Sequence, residues 1–314
     1  MSIKCSEYFL LQSSTCSGII TASALKLGQR KDDIVVGIID VGGGLRGIYT
    51  SGIYDYLLDN FIDIDYCLGV SAGSANLITY IAGQKGRLKR FYEEYSFEKQ
   101  YMSLGNYLKK GMLIDLDYIY SGITNTTGKD PLDFDAIKNS DKRFVAVTTE
   151  VSSGKSRYFT KEDISLNEYT LLKAGCALPV VCRKPIFFRG ENHFDGGLSD
   201  PIPYKKAFAD GCDKLIICLT LPIDHRKSPM PKTLSKLLLK KYPEISNLII
   251  SSDSTYNSLI NEIIRLEKDG SVLILAPENC FGIKTVTRDK EGLRKLYNLG
   301  YKDGEKIKAF LKIK

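Results

Sequence analysis

The stretch Leu68-Gly69-Val70-Ser71-Ala72-Gly73 constrains the fold more than any other part of the chain. An apolar, strand-like run ends there at a serine between small residues, and Leu77, Ile78 and Ile81 follow at helical spacing. A serine in a Gly-x-Ser-x-Gly context sits on a tight strand-to-helix turn that holds its hydroxyl clear at the mouth of a sheet. Gly69 and Gly73 suit such a turn because a side chain at either place would crowd the turn or an incoming substrate. A small-residue turn that merely packs a helix onto a sheet has the same pattern, so its neighbours must decide between the two.

Upstream, Ile34-Val35-Val36-Gly37-Ile38-Ile39 is a continuous β-branched run of the kind buried on both faces of a sheet. It breaks at Val41-Gly42-Gly43-Gly44-Leu45-Arg46-Gly47, after which Tyr49, Ile53, Tyr56 and Leu57 recur with a helical period. Strand, glycine loop, helix, strand, sharp turn and helix in succession predict a mainly parallel sheet covered by helices. Further strands are expected at 143–149 with a hairpin partner at 157–159, and at 185–188, 214–220 and 272–276. Helices are expected at about 165–174, 205–210, 257–267 and 291–311. Residues 85–128 read as irregular helix with aromatic and basic residues mixed, and carry no functional expectation. No repeat or linker cuts the chain. The expected organisation is an extension at 1–33, one catalytic domain at 34–221, and a mostly helical C-terminal region at 222–314 packed on it.

Composition removes several function classes. The eight cysteines lie scattered without a C-x-x-C pair, and the two histidines are His193 and His225, so no metal site is expected. Reduced thiols in a cytoplasmic protein fit this usage best. No apolar run approaches the ~20 residues of a membrane span. The net charge of +7 suits peripheral contact with an anionic membrane surface, although a solvated exterior accounts for most such excess. Residues 232–241 interleave lysines with leucines, the pattern of a basic helix lying on a membrane or, more commonly, of a surface helix packing on a core. No nucleic-acid partner is expected, and the sequence is silent on oligomeric state.

Three elements can meet at the C-terminal ends of neighbouring strands, where ligands bind in open α/β sheets. The glycine loop offers bare backbone N–H groups that curl around an anion, and the helix after it adds its positive end. Ser71 is the second element. Asp195, followed by Gly196 and Gly197 in an apolar-flanked loop, is the third and is placed to act as a buried base.

Two other readings compete. Gly42, Gly44 and Gly47 satisfy the G-x-G-x-x-G dinucleotide fingerprint, with Asp63 or Asp65 as its acidic partner. Arg46 inside the loop and Ser71 at the end of the second strand speak against it. The order Ser71, Asp195, His225 also matches an α/β-hydrolase triad. In that fold several strands precede the nucleophile, whereas one does here, and His225 lies in a polar, proline-flanked segment that reads as a surface loop. His193, two residues from Asp195, faces the same way in an extended segment, and both histidines read as incidental. A dyad is the economical scheme. Asp195 accepts the Ser71 proton, Ser71 attacks an ester carbonyl, the glycine loop holds the oxyanion, and water resolves the acyl-enzyme.

Gly-Gly-Gly-Leu-Arg-Gly at 42–47, Gly-Val-Ser-Ala-Gly at 69–73 and Asp-Gly-Gly at 195–197 resemble, in that order, the three signatures of patatin-like phospholipases. Lys173-Ala174-Gly175-Cys176-Ala177-Leu178-Pro179 is similar to that family's run before the catalytic aspartate, and the tail from about 222 resembles a bacterial subgroup with an extra helical region. The resemblance covers roughly 34–221. It implies a three-layer α/β/α sandwich with a mainly parallel sheet and a helical C-terminal elaboration. It also implies a Ser71–Asp195 dyad, an oxyanion loop at Gly42, Gly43, Gly44 and Arg46, and supporting glycines at 69, 73, 196 and 197. The activity implied is lipid acyl hydrolysis of the phospholipase A or lysophospholipase kind, without metal or cofactor. Val41 stands directly before the glycines where the family often has aspartate, with Asp40 one place earlier. A lipid-binding or regulatory protein with little turnover is the alternative that residues 232–241 and the positive charge support.

Overall fold

The computed structural model describes residues 34–179, 181–229 and 240–313; the extension at 1–33 and residues 232–239 of the basic stretch lie outside them. The first apolar run forms β1 (Val36–Asp40), and the run before Ser71 forms β2 (Tyr66–Val70), parallel to it. The crossover between them is a 3-10 turn at Gly44–Gly47 leading into α1 (Ile48–Asp59). From Ser71 the chain enters α2 (Ala72–Ile81) and then the short helices α3 (Arg87–Glu93), α4 (Leu104–Lys110) and α5 (Phe134–Asn139). It re-enters the sheet as β3 (Arg143–Glu150), parallel to β2. Next come β4 (Ser156–Thr160), α6 (Thr170–Gly175), β5 (Ile186–Phe188), β6 (Glu191–Asp195), α7 (Tyr204–Ala209) and β7 (Lys214–Cys218). The C-terminal part holds α8 (Pro243–Ile250), α9 (Ser252–Lys268), β8 (Val272–Leu275), α10 (Lys290–Asp303) and α11 (Glu305–Leu311).

The sheet runs β5-β6-β3-β2-β1-β7-β8, with β4 on the remaining edge of β3. Strands β1, β2, β3, β7 and β8 are parallel, and β4, β5 and β6 are antiparallel to their neighbours. Side chains alternate between the faces of a strand, and both faces here are apolar. Ile38, Cys67, Ala146 and Ile216 point into one buried cluster with Ile53, Leu77 and Leu296 of the helices. Ile39, Leu68, Val147 and Ile217 point into the other, with Ala207 and Ile260. Two covered faces make the three-layer α/β/α sandwich that the family resemblance implies.

The C-terminal region is joined to this core in two ways. Strand β8 extends the sheet beside β7, and α10 packs on α1. A Cβ on Gly300 would lie 1.8 Å from the Tyr49 carbonyl oxygen, so only glycine permits that approach. The buried Tyr49 hydroxyl donates to Asp303 Oδ2 and Tyr297 donates to Asp55 Oδ2, each at 2.7 Å.

Several boundaries differ from the sequence reading. The helix expected at 165–174 begins at Thr170, because Asn167 adopts a left-handed φ of 62° and turns the chain first. The helix expected at 257–267 extends to Ser252–Lys268, and that at 291–311 is broken at Gly304. Strand β7 stops at Cys218, which leaves Thr220 in the loop above the sheet. Strand β6 is the largest departure: residues around Asp195 read as loop but pair with β5 through a turn at Arg189 and Gly190, whose φ values of 49° and 85° are those of a type I′ hairpin.

Candidate active site

Register brings Ser71 and Asp195 together. Val70, the last residue of β2, pairs with Val147 of β3, and Asp195 pairs with Thr148, the next residue along. Strand β4 occupies residues 145–149 of β3 on one edge, so β6 must take the edge that β2 vacates at Val70. Asp195 therefore lies one rung beyond the strand that ends at Ser71. The Ser71 hydroxyl donates to Asp195 Oδ2 at 2.6 Å.

Ser71 sits at φ 55°, ψ −136°, a conformation costing a non-glycine residue of order 1–3 kcal/mol. The elbow is held by its surroundings. Ser74 N–H bonds back to the Ser71 carbonyl at 3.0 Å, opening α2. Gly69 lies within β2, and Gly73 lies in the first turn of α2, where a Cβ would meet the Asp40 carbonyl oxygen at 2.3 Å.

Asp195 is almost wholly buried, and that desolvation pushes its carboxyl up to about 6. The Ser71 hydroxyl, the Gly197 N–H at 2.8 Å from Oδ1, and the positive charge of Lys227 work in the opposite direction. The backbone is tied at both ends, Asp195 N–H to the Ala177 carbonyl at 3.0 Å and Thr149 Oγ1 to the Asp195 carbonyl at 2.8 Å. Gly196 and Gly197 form a 3-10 turn directly after it.

The glycine loop arches over the same strand ends. Gly42, Gly43 and Gly44 have φ values of 68°, 131° and 61°, a left-handed run closed to other residues without strain. Asp40 organises the base of the loop: Oδ1 accepts Gly42 N–H at 2.9 Å, and Oδ2 accepts the hydroxyls of Thr50 at 2.7 Å and Tyr54 at 2.9 Å. Burial raises the Asp40 carboxyl above its usual range, and those bonds offset part of the rise. Thr220 Oγ1 donates to the Gly42 carbonyl. Among the described residues the N–H groups of Gly43 and Gly44 have no acceptor, and Gly44 faces the cavity that holds Ser71. Arg46 Nη1 donates to Thr285 Oγ1 at 3.1 Å.

Ser71 and Asp195 open into a cavity of about 110 Å³, comparable with the ~150 Å³ engineered apolar cavity that binds benzene. Leu88, Phe91, Ile114, Leu116, Ile119 and Ile123 give it apolar walls. They come from residues 85–128, to which the sequence assigns no function. The charged groups in its lining are already engaged: Arg87 donates to the Asp130 carbonyl at 2.7 Å, and Asp130 accepts a fork from Arg90 at 3.0 and 3.1 Å. The lining is mainly hydrocarbon, with the Ser71 hydroxyl, tyrosine side chains and Gly44 among its polar-bearing residues.

The other sequence candidates lie elsewhere. His193 is a core residue whose Nδ1 pairs with Thr148 Oγ1 at 2.9 Å and whose Nε2 pairs with the Phe188 carbonyl at 3.2 Å. His225 follows a turn at Pro222 and is not among the residues lining the cavity. Asp63 pairs with Lys142, and Asp65 accepts Val36 N–H at 3.3 Å, at the opposite end of β1 from the glycine loop. Neither is placed to meet a nucleotide on that loop. Lys227 lies on the Tyr256 ring at 4.5 Å from its centroid. Among the described residues, no cluster of three or more His, Cys, Asp or Glu side chains is placed for a metal ion. No described helix is long and apolar enough to cross a membrane.

Residues 41–208 match the model of the patatin-like phospholipases, and residues 242–312 match a domain of unknown function (DUF6363). The uncharacterized protein YjjU of Escherichia coli strain K12 is 31% identical over 200 residues, covering 62% of this chain and 54% of that protein. The chain thus spans about half the length of this curated relative. VipD from Legionella pneumophila aligns over 88% of this chain and 67% of its own, with a TM-score of 0.49 and 13% identity.

Proposed function

The chain belongs to the patatin-like phospholipase family, and from that premise we propose that it hydrolyses lipid esters with Ser71 as nucleophile and Asp195 as its base. The 2.6 Å hydrogen bond from Ser71 to Asp195 at the mouth of an apolar cavity carries the reading. A base must reach the proton it takes, and a hydrocarbon-lined cavity selects an acyl chain over a polar substrate.

The ester carbonyl carbon is attacked by Ser71 Oγ while the proton passes to Asp195 Oδ2, and negative charge grows on the carbonyl oxygen. The N–H groups of Gly43 and Gly44 receive that charge; losing one such donor typically costs about 10²–10³ in rate. Collapse expels the alcohol, which takes the proton from Asp195. Water then attacks the acyl-Ser71 ester, with Asp195 again as base, and releases the fatty acid. Asp40 and Thr220 serve by holding the loop, and the left-handed backbone at Ser71 serves by presenting the hydroxyl.

The raised carboxyl sets a pH dependence. Asp195 works only when ionised, and its carboxyl is pushed up to about 6. Fatty-acid release from phosphatidylcholine–detergent micelles is expected to be level near pH 8, and kcat/KM to fall about tenfold per unit below about pH 6. A profile level down to pH 4, or absence of fatty acid at any pH, contradicts the reading.

A further inference from the structure

The segment between β8 and α10 reaches across to the glycine loop, and Thr285 makes the contact. Its carbonyl accepts Leu45 N–H at 3.0 Å, and its Oγ1 accepts Arg46 Nη1 at 3.1 Å. The contact is close: a Cβ on Gly44 would fall 2.5 Å from the Thr285 carbonyl oxygen and 2.7 Å from its Cγ2. Thr285 also lines the cavity together with Gly44, Ser71 and Asp195. The segment is pinned on both sides, by Cys280 Sγ to the Thr220 carbonyl at 3.7 Å and by Arg288 Nη1 to the Ser96 carbonyl at 3.3 Å.

Arg46 depends on this contact. Its Nε is buried without a hydrogen-bond partner, and Thr285 Oγ1 is the acceptor its guanidinium has among the described residues. A run of three left-handed glycines has much conformational freedom to lose, and oxyanion donors act only when held in place beforehand. Asp40 holds the loop at Gly42, and Thr220 holds it at Gly42 and packs against Gly43. Gly44, Leu45 and Arg46 are held from the C-terminal region.

We propose that Thr285 is a positioning residue for the oxyanion loop, acting through Arg46 and the backbone at Gly44 and Leu45, so that the C-terminal region completes the active site. The proposal rests on the loop being the oxyanion hole of an acyl hydrolase. It gives the region matching the domain of unknown function a part in catalysis.

The test uses the full chain and a short p-nitrophenyl ester. Thr285→Val keeps the shape and removes the acceptor. Its kcat is expected to fall at least about tenfold with KM within about twofold, because misplaced donors act on the transition state. Thr285→Ser keeps Oγ1 and is expected to stay within about twofold of the parent. Adding Thr285→Val to Arg46→Lys is expected to cost nothing further, since the hydroxyl acts through that guanidinium. Should Thr285→Val fail to fold, Thr285→Ala serves in the same comparison. An unchanged kcat in Thr285→Val, no advantage for Thr285→Ser, or losses that multiply in the double variant overturns the proposal. Ser71→Ala, run alongside, separates the two failures. If it is inactive while Thr285→Val is unaffected, the positioning role alone is lost; if it keeps activity, the hydrolase reading falls and the positioning role with it.

Discussion

Ser71→Ala is expected to lower hydrolysis of a short p-nitrophenyl ester by about 10⁴-fold or more while the fold stays intact. In the proposed mechanism this hydroxyl forms the acyl-enzyme, and the glycine loop cannot replace a missing nucleophile. Little else depends on it structurally. The elbow is held by backbone contacts, Ser74 N–H to the Ser71 carbonyl and Gly73 against Asp40, that alanine preserves. Far-UV circular dichroism beside the rate measurement separates lost chemistry from lost fold. A Ser71→Ala protein with near-parent activity would remove the nucleophile from the account.

Asp195→Asn is expected to cost about 10²–10⁴ in kcat, the usual worth of a positioned base. The amide oxygen can still accept Gly197 N–H, so geometry is kept, but no oxygen is left to take the Ser71 proton. Stability should move the other way. The folded carboxyl, at about 6, holds its proton more tightly than the ordinary 3.8. The native state therefore binds more protons than the unfolded chain between those values, and stability falls as pH rises through that window. A neutral amide avoids this penalty. At pH 8 the Asn variant should melt at or above the parent temperature while being nearly inactive. A lower melting temperature, or near-parent turnover, would mean that Asp195 is structural.

Much of this arrangement was legible because it is local. The β-branched run into β1, the glycine loop and the small-residue turn at Ser71 each announce themselves within a few residues, since period-2 burial and left-handed backbone restrict sequence directly. The meeting of Ser71 with Asp195 is not local. It follows from β3 lending one edge to two strands in succession, and β6 is too short and mixed in composition to declare itself. The cavity was hidden for a related reason. Its walls come from short helices and the π-helical turn Tyr118–Ile123, whose apolar residues keep no common period because they face a pocket and not a sheet. Thr285 acts partly through its carbonyl oxygen, which any residue type supplies.

The central claim is that Ser71 is a nucleophile activated by Asp195. Labelling the full chain with a fluorophosphonate and mapping the modified residue by mass spectrometry tests it most directly, because it needs no knowledge of the physiological ester. A single adduct on Ser71 is expected, formed slowly or not at all in Asp195→Asn. An adduct on another residue, or an unmodified Ser71 in folded protein, would contradict it.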